Sequence, residues 1–352
     1  MTDQKLEDGQ DFIPSSELRK MKTVPSTWVV EGLLRTGRKR PSILAGKPES
    51  GKSTLAKQLA VAVAQGADFL DRKTMRGEVI LWQTEDDDID IKHQLTALGN
   101  KDGDEEIHVF VGDPDMSGME GIVSCLKEHP KVRLVIIETL DDLLKMRGIN
   151  DNTAGREAFA EFTTKLSNPF NDHVAFLAIH HLKKSEVQFG GDGLLGNTQI
   201  RGRSDNKIFI QQMTPDDETR MVWSTKRGGT AIPKTLLEFD PVTGKATLGQ
   251  TVAEAKMSAE EAERKKELDK VLSFIAQHPD CTQAQVFDQL SGSKNRKVEF
   301  MNDLLSTGTV TRTGRGVKGH PYLYRSNLPV EEAGKSQALP EEQPINEEVI
   351  VQ

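Results

Sequence analysis

Nine residues, Gly46 to Thr54, read GKPESGKST and stand between an apolar run, PSILAG, and a stretch whose Leu55, Leu59 and Val63 recur at helical spacing. The pattern Gly46-x-x-x-x-Gly51-Lys52-Ser53 is that of a phosphate-binding loop. Glycines let successive backbone N–H groups close around a phosphate, and the following helix points its electropositive end at the same group. Lys52 can bridge β- and γ-phosphates, and Ser53 can hold Mg²⁺. The loop as a whole, Gly46, Lys47, Pro48, Glu49, Ser50, Gly51, Lys52, Ser53 and Thr54, is therefore the expected seat of ATP with Mg²⁺. GTP is not excluded by the pattern. Such a loop works only between a buried strand and a helix, so it also predicts the fold.

The rest of the chain repeats that alternation. Apolar runs EVILWQT (78–84), IHVFVG (107–112), VRLVII (132–137) and VAFLAI (174–179) are continuous rather than alternating, as in strands buried on both faces of a parallel sheet. GIVSCLKEH and GREAFAEFTTKL read as crossover helices between them. NKIFIQQM (206–213) and TRMVWSTK (219–226) lie closer together and suggest an antiparallel edge. The fold expected is a doubly wound α/β sheet over residues 22–250. It follows a flexible polar arm over 1–21.

Composition narrows the class. Fifty-four acids against 46 bases give a formal charge of −8, so bulk attraction to nucleic acid is not expected and only a local patch can supply it. Cys125 and Cys281 lie far apart; they suggest neither a disulfide framework nor a metal site, and read as small apolar residues in a reducing compartment. With no 18-residue apolar run and no signal-peptide core at the N-terminus, no membrane partner is expected and the location expected is cytoplasmic.

The C-terminal part differs. Residues 251–264 are Ala/Glu/Lys-rich and read as a linker or exposed helix. Over 265–326, helical spacing of Leu268, Val271, Leu272 and Ile275, a short helix TQAQVFDQL with Thr282 as N-cap, a third helix with Val298, Met301 and Leu305 on one face, and two short strands about a Gly-rich turn give the layout of a winged helix-turn-helix. Residues 264–326 hold eleven Lys/Arg and six Asp/Glu, a local charge of +5. Lys294, Arg296 and Lys297 at the start of the third helix, and Arg312, Arg315, Lys318 and His320 along the hairpin, are the expected DNA contacts. A solvated basic face or a protein-binding module is the other reading. The Pro/Glu-rich tail, 327–352, is expected to be disordered.

Four strand ends carry the remaining chemistry. Glu85 ends a buried strand where a carboxylate can polarise a water for in-line attack; the acids 85–88 can equally decorate a helix N-terminus. Glu138 closes LVIIE with Thr139 behind it, the shape of the second magnesium-site strand, though the usual acid there is Asp. His180 and His181 end VAFLAIHH without a third metal ligand at useful spacing, so a γ-phosphate sensor is the second reading. Lys226 and Arg227 are either a basic turn or fingers that reach a neighbouring subunit's phosphate. The Gly-rich segment 186–206, with Arg201 and Arg203, reads either as a disordered surface loop or as a mobile element facing nucleic acid or a neighbouring subunit, with Arg203 a further candidate finger.

Together, residues 26–70, VILWQTEDD, LVIIETL and AIHHLKK resemble the RecA-like P-loop ATPases of the plasmid RepA replicative helicase type, over roughly residues 22–245. The Trp28 preamble, AQG (64–66) and the HH-x-K at 180–183 carry the resemblance most specifically. It implies a ring, usually a hexamer, that moves on single-stranded DNA with ATP hydrolysis; such proteins are often encoded by phages, plasmids and other mobile elements. It further implies Glu85 as catalytic base, Glu138 as the Walker B acid, His181 (less readily His180) as sensor, and Lys226/Arg227 as trans-acting fingers. Glu49 departs from the family's more usual glycine, and Glu138 from its Asp. The expected activity is thus that of an ATP-hydrolysing DNA helicase. A recombination mediator or an ATP-dependent loader without unwinding activity is the alternative.

Overall fold

In the computed structural model, residues 14–20, 26–37, 40–84, 86–112, 116–138, 163–170, 172–182, 204–213, 219–225 and 230–328 are described. The chain divides into two compact units, Met1–Val252 and Ala253–Gln352.

The first unit is built on a nine-stranded sheet. In chain order its elements are α1 (Ser15–Leu18), β1 (Trp28–Val30), β2 (Leu34–Arg35), β3 (Ser42–Gly46), α2 (Lys52–Gln65), β4 (Glu78–Gln83), α3 (Asp88–Ala97), β5 (Ile107–Val111), α4 (Met116–Glu128), β6 (Val132–Glu138), β7 (Ala175–His181), β8 (Lys207–Gln212), β9 (Arg220–Thr225), β10 (Thr235–Phe239) and β11 (Ala246–Thr251). A π-helical turn at Thr163–Ser167 runs into a helical turn at Asn168–Phe170, ahead of β7. The sheet order is β11-β10-β9-β8-β3-β7-β6-β4-β5. The six strands from β8 to β5 are parallel, and β9, β10 and β11 add on in antiparallel fashion. This is a mixed α/β unit with a large, mainly parallel central sheet.

Alternation along the strands sorts side chains onto two faces. Leu44, Leu81, Ile136 and Ile179 meet Leu55 and Leu59 of α2 and Ile91 and Leu95 of α3. On the opposite face Ile80, Trp82, Val135 and Phe176 meet Met119, Ile122 and Leu126 of α4. Each such side chain, fully withdrawn from water, contributes roughly 1.5–3 kcal/mol. Trp82 also donates through its indole N–H to the Gly112 carbonyl at 3.3 Å and packs edge-on against Phe110. The Trp28 segment is a β1–β2 pair fastened to the start of β8. Arg35 Nε lies 3.1 Å from the Asp205 carboxylate, its guanidinium stacks over Trp28, and Asn206 donates to the Leu33 carbonyl.

The second unit contains α5 (Val252–Gln277, which begins one residue before the unit), β12 (Cys281–Thr282), α6 (Gln283–Phe287), α7 (Lys294–Ser306), β13 (Val310–Thr313) and β14 (Leu323–Ser326). Its strands pair in the order β12-β14-β13. Val271, Ile275, Val286, Met301, Leu304, Val310 and Tyr324 form its core. Thr282 caps α6 in a full capping box with Gln285. At the hairpin turn, a Cβ on Gly314 would lie 2.0 Å from the Pro321 carbonyl oxygen, and its φ is +91°, so no other residue fits.

Several expectations change. Ser15–Leu18, placed in a loose arm, forms a helical turn. Of the two readings of residues 251–264, linker or exposed helix, the structure has the second: 252–264 are the exposed first half of α5, a single 26-residue helix. The β8–β9 pair is antiparallel as expected but is not the edge, because β10 and β11 extend the sheet beyond it. Cys281 is buried, whereas Cys125 is only partly so and stands beside two histidines, against the expectation of an inert apolar residue. Of the helix expected over GREAFAEFTTKL (155–166), the last four residues fall in the π-helical turn, while 155–162, like the tail beyond 328, lie outside the described residues. Among the described residues no helix is long and apolar enough to cross a membrane.

Candidate functional site

The phosphate loop joins β3 to α2 where the parallel strands end. Its backbone explains its composition. Gly51 sits at φ +92° and Glu49 at +64°, both left-handed. A Cβ on Gly46 would come within 2.5 Å of the Ile210 carbonyl oxygen and 2.6 Å of Ser50 Oγ. One on Gly51 would come within 3.1 Å of the Phe239 ring, over which Arg220 also stacks. Glu49 thus holds a backbone conformation that glycine adopts far more readily than a residue with a side chain.

Lys52 is 3% exposed and its ammonium donates to the Lys47 carbonyl at 2.7 Å, arched back over the loop. Ser53 Oγ donates to Glu138 Oε1. Glu138 is 1% exposed, and its Oε2 has no hydrogen-bond partner; neither has the buried Ser50 Oγ. Burial pushes the Glu138 carboxyl up from its ordinary value; the Ser53 hydroxyl, the Lys57 ammonium and the Gln83 amide oppose this, and Asp86 adds to it. Gln83, the register partner of Glu138, is fully buried beside it without reaching hydrogen-bonding geometry.

A pair that sequence reasoning missed lies under this cluster. Lys57, one and a half turns along α2 from Lys52, is wholly buried and meets Asp86 Oδ2 at 2.5 Å, Asp86 itself being 30% exposed. The signal was present: a lysine in the middle of an otherwise apolar helix needs a partner. The acidic run after β4 therefore has one member held inward. Asp87 caps α3 by accepting from the Asp90 N–H at 2.8 Å, and Asp88 and Asp90 sit in its first turn. Those three do what acids at a helix N-terminus do.

His180 and His181 stand in register with Ala45 and Gly46. Alternation puts His181 on the face covered by α2, with Glu138 and Gln83, and His180 on the other face. Thus β3, α2, β4, β6 and β7 bring Gly46–Thr54, Glu138 and His181 to one end of the sheet. Glu85, Thr139, Arg201, Arg203, Lys226 and Arg227 lie outside the described residues.

These residues suit a nucleoside triphosphate with Mg²⁺. The loop's glycines pack where a Cβ would clash, the Lys52 ammonium folds back onto the loop's Lys47 carbonyl, and a buried carboxylate with one orphaned oxygen abuts the Ser53 hydroxyl.

In the second unit the basic residues separate into two groups. Arg296 is bound to Glu267 at 2.9 Å and to the Ser291 carbonyl, and Lys297 donates to the Phe287 carbonyl at 2.7 Å. Both hold α7 in place. Lys294, Arg315, Lys318 and His320 are exposed, and so is Arg312, which stacks over Tyr322 with its guanidinium carbon 4.3 Å from the ring centroid.

Residues 12–187 match the AAA domain family. No curated protein sequence matches the chain. Among 283 solved chains that match is a DnaB-like replicative helicase, from a structure of that helicase and its interactions with primase. It is 15% identical in sequence, covers 67% of this chain and 67% of its own, and superposes with a TM-score of 0.47.

Proposed function

The chain belongs to the AAA domain family, and from that premise we propose that it is an ATP-hydrolysing DNA motor, a ring-forming hexameric helicase of the plasmid RepA type that acts on single-stranded DNA in the cytoplasm. The observation that carries this reading is the hydrogen bond from Ser53 to the buried Glu138 carboxylate beside Lys52, at the end of the sheet where the phosphate loop lies.

Each residue has a task. Backbone N–H groups from Gly51 to Thr54 bind phosphate oxygens, and Lys52 exchanges the Lys47 carbonyl for the β- and γ-phosphates. Ser53 and Glu138 would hold Mg²⁺, which when bound draws the phosphate oxygens together and offsets their charge. Glu85 accepts a proton from the attacking water. His181, on the same face as Glu138, senses the γ-phosphate and passes its state to the segment that follows β7. Arg227, Lys226 or Arg203 of a neighbouring subunit completes the site.

The second unit is proposed as a winged helix that binds DNA. Because Arg296 and Lys297 are committed to α7, Lys294, Arg312, Arg315 and Lys318 are the phosphate contacts, with Tyr322 supporting Arg312.

The test is strand displacement on a forked duplex with ATP. The wild type is expected to release the labelled strand, and Lys52→Ala to release none. Wild type that hydrolyses ATP but leaves the fork intact would replace the helicase with a mediator or loader.

A further inference from the structure

A second cluster of reactive side chains lies on the other face of the sheet and at its other end. Glu78 opens β4, His108 follows the first residue of β5, Cys125 is on α4, and His129 lies one residue beyond that helix. The His129 N–H still bonds the Cys125 carbonyl at 2.8 Å, so the two side chains share one helical face at i, i+4 spacing. One ligand atom each from His108, Cys125 and His129 lie within 4.8 Å of one another. Glu78 Oε2 stands 2.9 Å from His108 Nε2 and 3.1 Å from His129 Nδ1, and the two imidazoles are 4.1 Å apart, centre to centre.

We propose that His108, Cys125 and His129, with the Glu78 carboxylate set against both imidazoles, form a binding site for a divalent cation of the zinc type. Nitrogen and thiolate sulfur are the donors this borderline-soft ion prefers, and three or four of them in tetrahedral array are its usual complement. Bonds of about 2.0–2.3 Å put ligand atoms of one ion roughly 3.3–3.6 Å apart. The ligand atoms of His108, Cys125 and His129, within 4.8 Å of one another, reach that spacing by shifts of about 1 Å. Beside the two imidazoles the Glu78 carboxylate supplies negative charge that favours a cation.

The site is separate from the nucleotide loop. β4 runs from Glu78 to Gln83, five steps or about 17 Å, between the two ends of the sheet. Its role follows from what it joins: edge strand β5, whose Val109 and Val111 remain exposed, helix α4 and strand β4. A bound ion pins the edge of the sheet.

Cobalt(II) titration of the metal-stripped full chain tests this. One equivalent should bind with the absorption of a tetrahedral centre and a thiolate-to-cobalt charge-transfer band, and zinc should displace it. Cys125→Ser should remove the charge-transfer band, His129→Gln should weaken binding about 100-fold or more, and Cys281→Ser should change neither. His129 is 39% exposed, so its variant keeps the test valid where a buried one unfolds. Zinc should also protect Cys125 from alkylation and raise the melting temperature. No charge-transfer band in the wild type, or one that survives Cys125→Ser, overturns the proposal.

Discussion

The Ser53 hydroxyl donates to the Glu138 carboxylate across 85 residues of chain, tying the first turn of the phosphate-loop helix to the end of a strand two places away in the sheet. Both groups would serve one ion. Ser53→Ala and Glu138→Gln should therefore each lower ATP hydrolysis by roughly 10²-fold or more. The double variant should be little worse than the single ones, because residues that act as a unit are not additive. Steady-state rates for the four proteins check this; independent, multiplying effects would contradict it.

The Lys57–Asp86 pair predicts an asymmetry. Asp86→Asn leaves a wholly buried ammonium with weakened compensation, which costs about 3–5 kcal/mol. Lys57→Met leaves a carboxylate that is 30% exposed and can turn to water, so it should cost less. Urea unfolding of the two variants decides the order.

Glu49 holds a left-handed backbone at φ +64° with its side chain exposed. A glycine there removes a steric penalty of about 1–2 kcal/mol, part of which is returned as extra freedom in the unfolded chain. Glu49→Gly should leave the melting temperature unchanged or raise it, with nucleotide binding intact. A clear fall would mean that the Glu49 side chain makes a contribution of its own.

Arg315 and Lys318 stand on the open hairpin. Arg315→Glu or Lys318→Glu should weaken oligonucleotide binding without changing hydrolysis in the absence of DNA. For every phosphate that is no longer neutralised, the slope of log K against log salt should become shallower by about 0.7–0.9. Arg296→Glu should instead lower stability, because it breaks the tie to Glu267.

What the sequence disclosed followed the strength of each local signal. The parallel core was legible because strands buried on both faces are unbroken apolar runs, and Gly46–Ser53 was legible because its spacing is itself the mechanism. β10 and β11 were not, since half-exposed strands such as Ala246–Thr251 mix polar and apolar residues without a clear period. Arg296 and Lys297 read as free cations because their partners, Glu267 and the Phe287 carbonyl, come from other helices or a carbonyl no pattern marks. The pairing of Lys57 with Asp86, and of Glu78 with two histidines, depends on which strands become neighbours. The local hints were a lysine, Lys57, inside a mainly apolar helix and the Cys125–His129 spacing.

The most direct measurement is ATP hydrolysis by the wild type with and without single-stranded DNA, alongside Lys52→Ala. The account predicts a basal rate that DNA raises severalfold or more and that disappears in the variant. A rate indifferent to DNA, or one that survives loss of Lys52, would contradict it.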